Sequence, residues 1–183
     1  MNNIRVIHTG LNVSKILAQL KQYPDDWNTK MKGAETLQSD KWGFPKVDVG
    51  VLQLTIGTVQ DEFQYVGDSE TSINTEMYHK YSTMSSWLKR NGFRNHDRCG
   101  FLSLPVDGSV GLHVDVGDYY RTRDRYHLSI QGNYRYYVGD EYIDIEPGML
   151  FWFNNKLEHG ADNIGDCTRI TFVVDLQHSK NNP

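Results

Sequence analysis

Closely spaced strand candidates in the second half of the chain constrain its fold more than any other feature. Short runs rich in β-branched and aromatic residues recur there, separated by turn-forming pairs such as Gly139-Asp140 and Pro147-Gly148. Strands separated by turns alone imply antiparallel sheets rather than an α/β fold. We expect a mainly β fold: a double-stranded β-helix (jelly roll, cupin-like) with flanking N-terminal helices. The eight predicted strands cover residues 100–104, 110–115, 126–130, 134–138, 142–145, 149–153, 158–160 and 168–176.

The first 98 residues have a more mixed pattern. Alternating apolar residues predict a short opening strand near residues 4–6, and Asn12 or Ser14 could then cap a helix that runs to about Gln22. A polar, glycine-interrupted stretch over residues 28–45 predicts a long loop, and a strand with a bulge is expected over residues 47–56. Apolar steps of three and four over residues 72–91 predict one further helix that packs against the core.

Composition excludes several classes of protein. The net charge of −4 indicates no basic surface for nucleic acid, although it is compatible with a local basic patch, and a nucleic-acid partner is not expected. No run of about 18 apolar residues is present that would predict a membrane span. The two cysteines, Cys99 and Cys167, are too few for a disulfide scaffold, and the first ten residues lack the pattern of a signal peptide. These features together predict a cytoplasmic location.

Three residues carry the pattern of a metal site. His113 and Asp115 lie two positions apart in a predicted strand, so their side chains are expected on the same face. His159 follows the predicted strand at 149–153 and supplies a third candidate ligand, although a single histidine there is more often simply a polar loop residue. Two histidines and one carboxylate that leave coordination positions open are the ligand set of non-haem Fe(II) oxygenases.

Cationic residues near these ligands predict an anion site. Arg169 opens an otherwise largely apolar strand ten residues after His159, and a buried guanidinium is costly unless it meets an anion. A bound dicarboxylate would satisfy it through paired hydrogen bonds, and a structural pair with an Asp or Glu is the alternative. Arg125 and His127 share a strand face and could hold another carboxylate, or lie on a solvated face.

With these motifs in their order, the chain resembles the aspartyl/asparaginyl β-hydroxylase family of Fe(II)- and 2-oxoglutarate-dependent oxygenases. The resemblance covers roughly residues 99–178, and the order of the motifs and the ten-residue spacing between His159 and Arg169 are more specific than His113 and Asp115 alone. The motifs are HVD at 113–115, RYHL at 125–128, FWFNN at 151–155, EH at 158–159 and RITFVVD at 169–175.

The resemblance implies roles for individual residues. His113 and His159 would bind iron, Arg169 would bind the distal carboxylate of 2-oxoglutarate, and His127, with Ser103, would contact this co-substrate. The peptide-modifying mammalian members have glycine where this chain has Asp115. Because it keeps a carboxylate at this position, the chain resembles instead the bacterial members that act on small molecules.

The implied reaction consumes Fe(II)-bound 2-oxoglutarate and O2, releases succinate and CO2, and hydroxylates an unactivated C–H bond. The substrate would be an amino acid or an Asp, Asn or Pro type of residue. We expect one oxygenase domain over residues 1–183, in which residues 1–98 support a catalytic core at 99–178. Tyr119, Tyr120, Arg121 and Arg123 could line the substrate entrance or lie on a solvated surface.

Two other readings stay open. A jelly-roll protein could hold a metal or an acidic ligand without catalysis, and a cupin enzyme could use a metal without 2-oxoglutarate. The second leaves Arg169 unexplained. A small molecule or a peptide is the expected partner, and the sequence does not determine the oligomeric state.

Overall fold

Eleven strands and four α-helices form the regular structure of the computed structural model, which describes residues 3–27, 49–58 and 68–178. A 3₁₀ turn at Pro24–Asp26 follows the first helix. The helices are α1 (Ser14–Gln22), α2 (Glu76–Lys80), α3 (Ser82–Arg90) and α4 (Asp118–Arg121). The strands are β1 (Ile4–His8), β2 (Gly50–Gly57), β3 (Ser72–Asn74), β4 (Cys99–Leu104), β5 (Ser109–His113), β6 (Arg123–Gln131), β7 (Tyr134–Val138), β8 (Glu141–Ile145), β9 (Leu150–Phe153), β10 (His159–Asn163) and β11 (Arg169–Gln177).

Two antiparallel sheets face one another. Within the described residues, the larger sheet has seven strands in the order β1-β9-β6-β11-β4-β2-β3. The smaller has four, in the order β5-β10-β7-β8. Strands β4 to β7 alternate between the two sheets, and so do β8 to β11. This winding is a double-stranded β-helix, as expected, and β1, β2 and β3 extend its larger sheet at both edges.

The two faces of the larger sheet differ because successive side chains of a strand point to opposite sides. On β11, Phe172 and Val174 face outward and pack with the helices, where Ile16 and Leu20 of α1 are also buried. The inward face packs against the smaller sheet. Its apolar contacts join Phe151 and other side chains from both sheets: Tyr134, Tyr136, Val138, Ile145, Phe153 and Ala161. The helices therefore cover the outward face of the larger sheet, and the space between the two sheets is filled by side chains of the strands.

The single helix predicted over residues 72–91 is wrong. Residues Ser72–Asn74 form β3, and the helical part is interrupted at Tyr81, which has φ −85° and ψ 56°. The Tyr81 hydroxyl donates a hydrogen bond to Asp26 at 2.9 Å, and its ring lies in the core. The apolar spacing that predicted one helix arises because α2 and α3 both pack toward this same core.

Other boundaries moved by a few residues. β5 ends at His113, so Asp115 follows the strand rather than belonging to it, and β10 begins at His159 and continues to Asn163. All eight strands predicted between residues 100 and 176 are present. In β2 the register with β4 shifts between Gln53 and Thr55, which gives the expected bulge at a later position. The loop predicted over residues 28–45 and the first two residues of the 47–56 strand lie outside the described residues.

None of the helices in the described part of the chain is long and apolar enough to cross a lipid bilayer.

Gly148 provides a test of how the N-terminal segment docks on the jelly roll. Gly148 and Gly92 both have φ of +86°, where a side chain costs about 1–2 kcal/mol. A Cβ at Gly148 would lie 2.6 Å from the Leu11 carbonyl oxygen, whereas a Cβ at Gly92 meets nothing within 4 Å. We expect Gly148→Ala to lower the free energy of unfolding by more than Gly92→Ala, by a further ~1–3 kcal/mol. Urea denaturation measures both, and equal losses would contradict the docking.

Candidate metal and anion site

Strand register brings the two candidate histidine ligands together. His159 on β10 is the cross-strand partner of His113 on β5, and their ring centroids are 4.4 Å apart. The register of this strand pair shifts just after His159, between His159 and Ala161. His159 is buried, with 3% of its surface exposed, whereas His113 is half-buried. The histidine that could have been a loop residue is therefore the first residue of an inward-facing strand.

Asp115 completes the group from the segment after β5. One ligand atom from each of His113, Asp115 and His159 lies within 4.8 Å of the others. The Asp115 Oδ1 atom is 3.8 Å from Nε2 of His159. The three residues predicted as a metal site thus converge, although Asp115 reaches it from a loop and not from the strand face that its spacing suggested.

The histidine rings are oriented as metal ligands require. Nδ1 of His113 lies 2.9 Å from the carbonyl oxygen of Gly111, and Nδ1 of His159 lies 2.9 Å from that of Leu157. A carbonyl oxygen only accepts hydrogen bonds, so each Nδ1 carries the ring proton and each Nε2 presents a lone pair. Burial also lowers the pKa of His159, which keeps its ring neutral. The donor set fits a divalent transition metal with open positions.

Arg169 is buried nearby without an acidic partner. Only 3% of its surface is exposed, its Nε donates to Thr171 Oγ1 at 2.8 Å, and its guanidinium carbon lies 4.1 Å from the ring centre of Tyr134. Among the described residues, no Asp or Glu forms an ion pair with Arg169. The structural pairing left open by the sequence is therefore absent from this part of the chain, and the cation remains available to an anion.

His127 lies among the cations of the site. It is 4% exposed, and its ring makes edge contacts with Tyr136, Phe151 and Phe153. Burial lowers its pKa well below the ordinary value, and the positive charge of Arg169 lowers it further. Its buried Nδ1 has no hydrogen-bond partner among the described residues. A neutral ring with an unsatisfied nitrogen is suited to contact a polar ligand.

Sequence reasoning missed two tyrosines of β7. Tyr134 and Tyr136 face inward, and the Tyr134 hydroxyl accepts a hydrogen bond from Thr171 at 3.2 Å. Tyr136 stacks on His159 at 6.4 Å, and burial raises its pKa well above the ordinary value. Their two-residue spacing in a predicted strand was the available signal, because it places both rings on one face.

Arg125 and Ser103 were both expected to contact the co-substrate, and the structure gives them other surroundings. Arg125 pairs with Asp115 at 2.9 Å and with Asp175 at 2.8 Å, so its charge is already compensated within the protein. Ser103 is the cross-strand partner of Ile170, whose side chain packs in the helix-facing core. Cross-strand partners share a face, so Ser103 points away from Arg169 and the inter-sheet space. Its expected contact with the co-substrate is not supported by this register.

The segment expected at a substrate entrance is partly structural. Tyr119 is 1% exposed, and its hydroxyl donates to Asp175 at 3.2 Å. Arg123 is 3% exposed and pairs with Asp97 and Glu70. Tyr120 contacts the Arg125 guanidinium, with 4.8 Å between the guanidinium carbon and the ring centre. Of the four residues, only Arg121 has the solvent-exposed side chain that was the alternative to a substrate entrance.

Comparison with known proteins yields one family and several distant structural likenesses. Residues 71–179, more than half of the chain, match the sequence model described as aspartyl/asparaginyl beta-hydroxylase. No curated protein is significantly similar in sequence.

The structural likenesses are to cupin and related proteins. A predicted oxalate decarboxylase from Thermotoga maritima is 17% identical, with a TM-score of 0.39, over 49% of this chain and 74% of its own. A cupin domain from Schizosaccharomyces pombe is 11% identical, with a TM-score of 0.39, over 44% of this chain and 56% of its own. The polyketide cyclase from Streptomyces resistomycificus is 15% identical, with a TM-score of 0.35, over 43% of this chain and 52% of its own. Likenesses this distant carry no argument about activity.

The lowered pKa of His127 predicts a pH effect on stability. Below about pH 6.5 the unfolded chain binds a proton at His127 that the folded chain excludes, so stability falls as the pH falls. Replacement by phenylalanine keeps the ring contacts and removes the titration. We expect His127→Phe to lose less stability than the parent protein on acidification, by up to about 1.4 kcal/mol per pH unit. Denaturant unfolding between pH 7 and pH 5 measures this, and parallel curves would contradict it.

Proposed function

Because the chain belongs to the aspartyl/asparaginyl β-hydroxylase family, we propose that it is an Fe(II)- and 2-oxoglutarate-dependent dioxygenase. In this proposal it hydroxylates an unactivated C–H bond of an amino acid or an Asp, Asn or Pro type of residue. The observation that carries the proposal is the presence of two binding features near His127, whose pKa is lowered by burial and by the charges of both Arg169 and His159. These are the donor atoms of His113, Asp115 and His159 and the buried guanidinium of Arg169, which has no acidic partner among the described residues.

The metal would be held by Nε2 of His113, Nε2 of His159 and one oxygen of Asp115. The backbone acceptors at Gly111 and Leu157 keep both rings in the required tautomer, so little reorganisation is needed on binding. When bound, Fe(II) supplies the oxidative chemistry that converts 2-oxoglutarate and O2 to succinate and CO2 and places one oxygen atom on the substrate.

The co-substrate would be anchored by its distal carboxylate on Arg169. Thr171 accepts from Nε, and the Tyr134 ring lies against the guanidinium, so this cation is already oriented before an anion arrives. Charge-assisted hydrogen bonds of this kind are worth about 1.5–3 kcal/mol each. His127, neutral and with an unsatisfied nitrogen, would contact the same ligand.

The surrounding side chains would exclude water from the reacting groups. Phe151, Phe153 and Tyr136 are each at most 3% exposed and pack around His127 and His159. A dry environment strengthens the attraction between Arg169 and a bound carboxylate, because little solvent screens it. The protein would thereby contribute geometry and shielding, while the bound cofactors contribute the reaction.

Asp115 bears on the class of substrate. Its carboxylate belongs to the ligand group, as in the family members that act on small molecules, so a small molecule is the preferred substrate and a peptide the second choice. Both cysteines are free thiols, which supports the expected cytoplasmic location. A nucleic-acid partner remains unexpected at a net charge of −4.

A non-catalytic metal- or ligand-binding protein is the second candidate, and 2-oxoglutarate turnover separates the two. We expect protein supplied with Fe(II), 2-oxoglutarate and O2 to release succinate, slowly alone and faster with its substrate. Mass spectrometry of candidate pools should then find a product heavier by one oxygen atom. His159→Ala should abolish both signals. Binding of metal and 2-oxoglutarate without any succinate from substrate-supplied reactions would favour the second candidate.

The role of Arg169 can be tested separately from that of the metal. We expect Arg169→Met to raise the KM for 2-oxoglutarate about 10- to 100-fold, because the charge-assisted hydrogen bonds to its carboxylate are lost. Metal affinity should change little. Arg135→Met is the matched control, since Arg135 pairs with Asp144 at an exposed position on the smaller sheet. An unchanged KM in Arg169→Met would exclude this residue as the anchor.

A further inference from the structure

The two carboxylate oxygens of Asp115 have different surroundings. Oδ2 accepts a hydrogen bond from Nη1 of Arg125 at 2.9 Å, whereas Oδ1 lies 3.8 Å from Nε2 of His159. One oxygen is therefore taken by a cation of the protein, and the other faces the candidate metal ligands. A carboxylate can bind a metal through one oxygen or through both, and this arrangement favours one.

The backbone around Asp115 provides little to hold its side chain in place. It belongs to the irregular segment between β5 and α4, and its neighbours Val114 and Val116 are 37% and 59% exposed. A carboxylate on such a segment loses conformational freedom only if another group fixes it. Within the described residues, Arg125 is the group that forms a hydrogen bond to it.

Arg125 is itself fixed to the larger sheet. It is the cross-strand partner of Asp175, and the two side chains form a two-pronged ion pair: Nε to Oδ1 at 2.8 Å and Nη2 to Oδ2 at 2.9 Å. Asp175 is 1% exposed and accepts a further hydrogen bond from the Tyr119 hydroxyl at 3.2 Å. The Tyr120 ring covers the guanidinium. All three nitrogens of Arg125 are thus engaged by carboxylates, which distinguishes it from Arg169.

We propose that Arg125 is a positioning residue: it holds Asp115 so that Oδ1 alone is presented to the metal, and it keeps the remaining coordination positions open for ligands. This rests on the proposed function, because it assumes that Asp115 is a metal ligand. The arrangement also balances charge, since one cation between two carboxylates leaves a single negative charge for the metal to neutralise. Arg125 therefore acts on the metal through Asp115 and does not anchor the co-substrate.

Co(II) serves as the probe, because its affinity is measured by calorimetry and its visible absorption reports coordination geometry without turnover. We expect Arg125→Met to weaken Co(II) binding about 10- to 100-fold, the usual effect of losing a residue that orients a ligand. The absorption band should also change as Asp115 gains freedom. Arg135→Met is the matched control, since Arg135 also forms a two-pronged pair with a carboxylate, Asp144, and does so at an exposed position. It should leave both readouts unchanged.

A mutant cycle separates this inference from the proposed function. In an Asp115→Ala background, Arg125→Met should cause no further loss of Co(II) affinity, because its effect passes through Asp115. If Asp115→Ala alone leaves Co(II) affinity unchanged, the metal site itself is wrong. If Asp115→Ala weakens binding and Arg125→Met does not, only the positioning role is wrong.

Loss of folding is controlled with a second variant. Arg125→Met leaves Asp175 buried without its cation, which can destabilise the sheet by several kcal/mol. The double variant Arg125→Met/Asp175→Asn removes both charges and keeps an acceptor for Tyr119. We expect it to fold and to show the same weakened Co(II) binding. Parental affinity and absorption in this folded double variant would overturn the proposal.

Discussion

The antiparallel pairing of β6 with β11 is the constraint on which the candidate site depends. This register places Arg125 opposite Asp175 and His127 opposite Val173, so one face of both strands carries the polar groups of the inter-sheet space. The other face carries apolar residues such as Leu128 and Phe172, which pack with the helices. A slip of one residue would exchange the two faces, burying charge in the apolar core. Packing of the helices therefore determines where the charged groups point.

Arg125, which is half-buried, and Arg169, which is buried, have different electrostatic surroundings in this space. Arg125 is neutralised by Asp115 and Asp175, while Arg169 meets only a hydroxyl and an aromatic ring among the described residues. Burial of an uncompensated cation is unfavourable, and proteins retain such groups where an anionic ligand supplies the missing charge. In the proposed function, Arg125 accordingly has a structural task and Arg169 a binding task, although both occur in similar strand contexts in the sequence.

Much of the fold and of the ligand group could be predicted from the sequence, for identifiable reasons. Alternation and turn pairs located the eight strands of the jelly roll, and the motif order singled out His113, Asp115, His159 and Arg169. Local patterns could not reveal that Tyr81 divides a helix, because that break depends on contacts with Asp26 and the core. Local patterns also could not reveal that Asp175 is a partner of Arg125 or that Ser103 faces outward. Both follow from the register between strands that are distant in sequence.

A crystal structure of the protein with Mn(II) and 2-oxoglutarate, prepared without oxygen, tests the central claim most directly. The account predicts one metal ion bonded to Nε2 of His113, Oδ1 of Asp115 and Nε2 of His159, with the distal carboxylate of 2-oxoglutarate on the Arg169 guanidinium. Asp115 Oδ2 should still accept from Arg125 in that complex. A metal ion bound elsewhere, or a 2-oxoglutarate carboxylate held away from Arg169, would contradict it.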